Sequence, residues 1–208
     1  MSKEWDTFFL ENPKPANFDK CEEKMRSFIS SKQHSMPLVL VTSGGTTVPL
    51  EVNTVRFVDN FSAGTRGAAS AEFFLLQGFA VIFLHRDKSL EPFSRHFSSS
   101  ELLAAMKVGE DRVVSIEEEN MAKQLRPVVE NAKKYQTNLC KLSFNSLSDY
   151  LWLLRSASQQ LGKVDQNKCL LYLAAAVSDF YIPACQLPEH KIQSSVGPPT
   201  VQLHLGTG

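Results

Sequence analysis

At 208 residues, 43% of them hydrophobic, the chain is long enough for one domain with a proper core, and its 22 basic and 22 acidic residues leave no basic excess for a nucleic-acid or anionic-membrane partner. Apolar runs such as residues 169–177 fall short of a membrane span, and the first residues carry acids where a secretory leader needs an apolar stretch. Four scattered cysteines (Cys21, Cys140, Cys169, Cys185), with no Cys-x-x-Cys pair, argue against zinc or a disulfide framework, so the expectation is a soluble, cytoplasmic protein with reduced thiols.

Residues 1–16 are polar, contain Pro13 and Pro15, and read as an N-terminal arm. From the capping residue Asn17, apolar Phe18, Cys21, Met25, Phe28 and Ile29 fall near one face of a helix. Residues 37–42, a β-branched and leucine run that stops at Ser-Gly-Gly-Thr (43–46), predict a strand buried on both faces. Residues 62–67, Ser-Ala-Gly-Thr-Arg-Gly, lead into a helix over 68–76 closed by Gly78, and 80–84 form the second buried strand. A short helix around 102–106, a strand at 112–116 and a helix from 118 to about 135 follow, the last expected to start late or kink at Pro127. Then come a strand at 139–144, a helix over 145–162 with Leu147, Tyr150, Leu151, Leu154 and Leu161 inward, and the most apolar strand at 169–177. Strands and helices alternating at this spacing predict an α/β fold: a three-layer, doubly wound, mainly parallel sheet of Rossmann-like type, with 17–208 as one domain. Residues 197–205 alternate like a further strand, and because the chain stops close behind it the domain is expected to be incomplete at its C-terminus.

Ligands on such sheets bind at the carboxyl ends of strands, which selects the loops 43–67, 85–96 and 178–195. In the first, the glycines are split, Gly44-Gly45 after the strand and Gly64-x-x-Gly67 at the helix start, which departs from the dinucleotide fingerprint. Small residues still let backbone approach a phosphate, and Ser62, Gly64 and Gly67 would present N–H groups at the positive end of the helix; alternatively, the glycines serve only close helix-to-sheet packing. Between the two pairs, an alternating insert (flap, 47–61) is either a surface hairpin strand or a piece that pairs with another subunit. Arg56 can fork onto a phosphate or carboxylate and Asn60 offers both a donor and an acceptor, although each residue type is more often simply solvated. In the third loop, three alanines (174–176) leave room against the backbone; Asp179 then supplies a carboxylate or caps the next turn, and Lys191 is either solvated or neutralises phosphate charge. His85, His96 and His190 lie in loops without a Gly-x-Ser-x-Gly elbow, so Ser-His-Asp catalysis has no support.

Taken together, residues 40–46 (Leu-Val-Thr-Ser-Gly-Gly-Thr), 55–67 (Val-Arg-Phe-Val-Asp-Asn-Phe-Ser-Ala-Gly-Thr-Arg-Gly), 172–180 (Tyr-Leu-Ala-Ala-Ala-Val-Ser-Asp-Phe) and 189–195 (Glu-His-Lys-Ile-Gln-Ser-Ser) closely resemble the phosphopantothenate–cysteine ligases, in their monofunctional eukaryotic form. The resemblance runs in order from about residue 4 to about 205. It implies ligation of phosphopantothenate to L-cysteine in coenzyme A biosynthesis. It implies too that the acid attacks the α-phosphate of ATP, accompanied by Mg²⁺, and that the cysteine amine then displaces AMP from the acyl-adenylate. Carried over by position, it implies that Gly44, Ser62, Gly64 and Gly67 hold the nucleotide. Asn60 and Arg56 would bind the substrate, Asn60 also holding the acyl intermediate; Ala175, Ala176 and Asp179 would line the phosphopantothenate site, and Lys191 would offset charge as the adenylate forms. It further implies a homodimer whose flap covers the partner's site. Family members continue beyond the region matched here, with further strands and a lysine-rich segment, and residues 206–208 do not match them, so an exposed final sheet edge is expected. Beside this reading stands a non-catalytic nucleotide-binding or dimer-forming module; a nicotinamide-dependent reductase is disfavoured, because the glycines are split and no acidic residue follows the second strand at the ribose position, Arg86 and Asp87 being the nearest.

Overall fold

The computed structural model describes residues 3–193 and 197–205; residues 1–2, 194–196 and 206–208, and with them Ser194 and Ser195 of the fourth motif, lie outside the described residues. Four strands form the central sheet: β1 (Leu38–Ser43), β4 (Ala80–Arg86), β7 (Leu139–Phe144) and β8 (Cys169–Leu173), in the order β7-β4-β1-β8 and all parallel. The central strand β1 is buried along its whole length, as its unbroken apolar run requires. Its side chains alternate between two cores. Leu38 and Leu40, with Ile82, Leu84, Leu142 and Phe144, face α2 (Phe18–Lys32) and α6 (Leu147–Leu161), which supply Met25, Ile29, Tyr150, Leu153 and Ala157. Val39 and Val41, with Val81 and Phe83, face Ala68, Ala71 and Leu75 of α3 (Thr65–Leu76). On α6 the inward set is Leu147, Tyr150, Leu153, Ser156, Ala157 and Leu161, whereas Leu151 and Leu154 are only partly buried.

Three elements depart from expectation. Residues 112–116 do not join the sheet: β6 (Val114–Ile116) pairs antiparallel with β5 (Met106–Val108) in a separate ribbon after α4 (Ser99–Ala105). The turn between them is closed by Gly109 N–H donating to the Val113 carbonyl, and Arg112 takes a left-handed φ of 63°, so the short run pairs locally rather than crossing the molecule. The sheet therefore has four strands, not five. α5 (Glu119–Tyr135) starts on time and runs through Pro127; that residue is exposed, so the carbonyl left without a donor one turn earlier faces water. The expected N-terminal arm holds a helix, α1 (Lys3–Glu11), anchored by buried Phe8 and Phe9, whose rings meet Tyr181 and Trp152 edge to face at 5.5 and 4.7 Å.

The most apolar strand, β8, lies at the edge of the sheet, and Leu170, Leu171 and Leu173 are 41%, 48% and 56% exposed. Residues 197–205 contribute β10 (His204–Leu205), which pairs antiparallel with β9 (Phe180–Tyr181) outside the main sheet. Among the described residues no helix is long and apolar enough to cross a membrane.

Beside α3, one buried carboxylate ties the loop after β4 to the helix. Glu72 accepts hydrogen bonds from the Phe93 N–H (2.8 Å), Arg95 Nε (2.6 Å) and His96 Nε2 (2.9 Å). Burial works to raise its pKa, but the Arg95 guanidinium, the Phe93 N–H and His96 outweigh it, and the net shift is downward from the ordinary 4.5. A carboxylate depressed in the folded state contributes stability that is present above 4.5 and lost as pH falls through its lower folded value. Glu72→Gln is therefore expected to destabilise the fold by about 2 kcal/mol at neutral pH. Urea unfolding of both proteins should show that gap narrowing steadily at acid pH.

Candidate functional site

The site begins where β1 ends. The chain returning from the flap crosses that end so closely that a Cβ on Gly45 would lie 1.6 Å from the Asn60 carbonyl oxygen. The Asn60 N–H completes the crossing by donating to the Thr46 carbonyl (3.0 Å). A Cβ on Gly67 would fall 2.4 Å from that of Ser43, so the first turn of α3 is seated directly on β1. Close packing, the alternative the sequence left open, is thus a real duty of these glycines. It also brings residues 61–64 over the carboxyl edge of the sheet. Gly64 caps α3 in the left-handed region (φ 82°), and its carbonyl accepts both the Ala68 N–H and the Ser43 hydroxyl at 3.0 Å. The first-turn N–H groups of α3 have no carbonyl partner within the helix.

Opposite stands the continuation of β8. Thr42 Oγ1 accepts from the N–H groups of Ala174 (3.1 Å) and Ala175 (3.2 Å), Gly44 O accepts from Ala176 N–H (2.8 Å), and Thr46 Oγ1 accepts from Ser178 N–H (2.9 Å). The three alanines are pinned through their backbone, and their methyl groups leave open a cleft of about 400 Å³ whose other wall is Phe61, Ser62, Ala63, Gly64, Thr65 and Arg66. It lies between β1 and β8, where the strand order reverses direction, the position at which open α/β sheets bind ligands. Ser62, Gly64, Ala175 and Ala176 thus line one cleft, while Gly44 and Gly67 do not line it: Gly44 holds the Ala176 N–H and Gly67 packs on Ser43. Thr42 and Thr46, which the sequence reading missed, hold the two walls in register.

The flap is a hairpin of β2 (Thr47–Pro49) and β3 (Phe57–Asp59). Its loop is organised by Glu51, another residue missed from sequence. Glu51 is completely buried and accepts from the N–H groups of Arg56 (2.9 Å), Val55 (3.2 Å) and Ile192 (3.4 Å) and from Arg56 Nη1 (3.1 Å). The Arg56 N–H leads in holding this carboxyl below its usual range, against burial, with the Val55 and Ile192 N–H groups and the guanidinium adding to it. Arg56 Nη1 also donates to the Ile192 carbonyl (3.1 Å), so Arg56 fastens the flap to the loop bearing Lys191 while 42% of its side chain stays exposed.

Asn60 is half-buried, and its side-chain amide makes no hydrogen bond among the described residues. Asp179 and Lys191 are exposed, their charged groups without partners among the described residues, and neither lines the cleft between β1 and β8. Asp179 caps no turn among the described residues; the local turn is closed by Ser178 Oγ, which donates to the Phe180 carbonyl (2.8 Å). Behind the flap, Arg86 Nη1 donates to Asp59 Oδ1 (2.6 Å), tying β3 to the end of β4. Among the described residues no group of three His, Cys, Asp or Glu is arranged to hold a metal ion.

No protein-family model matches the chain. Among curated proteins, it is 46% identical over 196 residues to the phosphopantothenate–cysteine ligase CAB2 of Saccharomyces cerevisiae, an alignment covering 92% of this chain and 52% of the yeast protein. It is 41% identical over 204 residues to the human phosphopantothenate–cysteine ligase, covering 94% of this chain and 65% of that one. The chain thus spans between half and two thirds of the length of these relatives. Among solved structures, a Cab2 mutant in complex with phosphopantothenate-cysteine superposes with a TM-score of 0.84 at 42% identity, covering 98% of this chain and 68% of that one.

Proposed function

The chain belongs to the phosphopantothenate–cysteine ligase family, and from that premise we propose that it joins phosphopantothenate to L-cysteine with cleavage of ATP to AMP and pyrophosphate, in the cytoplasmic route to coenzyme A. The observation that carries this reading is the cleft at the strand-order reversal, walled by residues 61–66 and the three alanines; Asn60 precedes that wall in the chain, and its side-chain amide makes no hydrogen bond among the described residues. Ser62, Gly64, Gly67 and the first-turn N–H groups of α3 take the phosphates, helped by the helix dipole, while the Gly44 carbonyl holds the opposite wall in place. Ala175 and Ala176 let the acid lie against backbone, and Asp179 supplies a hydrogen-bond acceptor to it.

In this reading a carboxylate oxygen of phosphopantothenate bonds to the α-phosphorus and pyrophosphate leaves. The neutral amine of cysteine then bonds to the acyl carbon, the bond to the adenylate oxygen breaks, AMP departs with that oxygen, and one proton of the amine passes to solvent while the other stays on the amide nitrogen. The Asn60 amide holds the acyl-adenylate through its carbonyl, and Lys191, on the loop fastened by Glu51 and Arg56, closes over to offset charge on the pentacoordinate phosphorus. Magnesium enters with the triphosphate as part of the substrate. The exposed apolar residues of the flap, Val52, Val55, Phe57 and Val58, support a second subunit as its partner, with Arg56 carried into the partner's site.

Pyrophosphate release by the purified chain tests the proposal. Release that depends jointly on phosphopantothenate, ATP and Mg²⁺ supports it; a folded chain that binds ATP without release supports a non-catalytic nucleotide-binding module instead.

A further inference from the structure

The residues so far assigned serve the nucleotide and the acid; none receives the amino acid. On the other side of residues 61–63 lies a second cleft of about 670 Å³, lined by Phe61, Ser62 and Ala63 themselves and by residues at the ends of β3, β4 and β7. Its charged lining is mixed: Asp59 and Asp87 against Arg86 and Lys88. Asp59 and Arg86 form the anchored pair described above. Asp87 and Lys88 are exposed and have no side-chain partner among the described residues. They sit in a turn closed by Ser89, whose N–H and hydroxyl both donate to the Arg86 carbonyl at 3.1 and 2.8 Å, and Lys88 occupies the left-handed region at φ 63°. Asn145, also in the lining, keeps its side-chain amide unpartnered among the described residues.

We propose that this cleft binds the α-amino acid substrate as its zwitterion, carboxylate toward Lys88 and Arg86 and ammonium toward Asp87 and Asp59. The proposal rests on the ligase reading, which requires an amino acid, and goes beyond it by giving that substrate its own residues. The charge pattern selects the ligand class: a pyrophosphate or triphosphate would meet two carboxylates here, whereas an amino acid brings one charge of each sign to a lining that holds both signs equally. Position supports the same choice. Asn60 lies between Asp59 and Phe61, both in this lining, and Phe61 lines both clefts, so an acyl group held at Asn60 is reached from this side while the nucleotide fills the other.

The test reads binding without turnover, so failure of the ligase reaction and failure of this site are separate results. L-Cysteine is titrated, under reducing conditions, into the full isotope-labelled chain, and backbone amide shifts are followed by NMR. Shifts at Asp59, at residues 86–89 and at Asn145 are expected. Lys88→Gly, which suits the left-handed backbone, and Asp87→Asn should each weaken binding by about tenfold. Cysteine-induced shifts confined to other residues, no shifts at all, or unchanged affinity in both variants would overturn the proposal. So would sodium pyrophosphate moving these amides where cysteine does not, since that marks an anion site.

Discussion

Gly45→Ala is expected to be the most damaging single-methyl change near the site. The added Cβ would meet a backbone carbonyl, that of Asn60, at 1.6 Å, and backbone cannot swing aside as the end of a flexible side chain can. Either residues 60–62 or the end of β1 must move, which breaks the Asn60 N–H to Thr46 hydrogen bond and displaces the wall shared by both clefts. We expect a loss of about 3 kcal/mol, or roughly 6–12 °C in Tm for a chain of this size. Gly78→Ala is the control. Gly78 is left-handed, at φ 83°, which Gly45 is not, and has nothing within 4 Å of its would-be Cβ, so only the backbone term of about 1 kcal/mol remains. Calorimetry of the two variants separates crowding from conformational strain, and equal losses would contradict the crossing geometry.

Asn60→Ala is expected to do the reverse, leaving the fold intact and removing the chemistry. The Asn60 backbone is fixed by Thr46, while its side-chain amide makes no hydrogen bond among the described residues, so truncation breaks no observed contact. If the amide holds the acyl-adenylate, its loss should lower the rate of amide formation by about 100-fold or more, with Tm unchanged to within about 1 °C. Rates measured at saturating substrates, beside a melting curve, decide this. A rate within a factor of about two of the parent would remove Asn60 from the mechanism.

The fold was legible where the chain buries itself on both sides. Continuous apolar runs at 37–42 and 80–84 became the two inner strands because only a central position hides both faces of such a run, while 139–144, interrupted by Lys141 and Ser143, became an edge strand whose burial alternates. The segment at 112–116 misled because a short alternating run looks the same whether it enters a sheet or folds back on a neighbour; the left-handed turn at Arg112 decided it. Phe8 and Phe9 were overlooked inside a polar stretch, although two adjacent aromatics there were sufficient to dock a helix.

Of the candidate site, the residues that form walls were readable because small residues cluster where a helix start is seated directly on a strand end. The residues that hold those walls were not. Thr42 and Ala174 stand 132 positions apart, and a threonine whose partner is distant backbone leaves no periodic trace. Glu51 left one faint signal, an acid set directly between the apolar residues Leu50 and Val52, whose burial makes sense only once the flap closes around it.

The central claim, acyl transfer through an adenylate made by this chain, is tested most directly by following the carboxylate oxygens. Phosphopantothenate isotopically labelled at its carboxylate is incubated with the chain, ATP, Mg²⁺ and L-cysteine, and the released nucleotide is weighed by mass spectrometry. The account predicts AMP carrying one labelled oxygen for every amide formed. Unlabelled AMP beside amide product, or ADP and phosphate in its place, would contradict it.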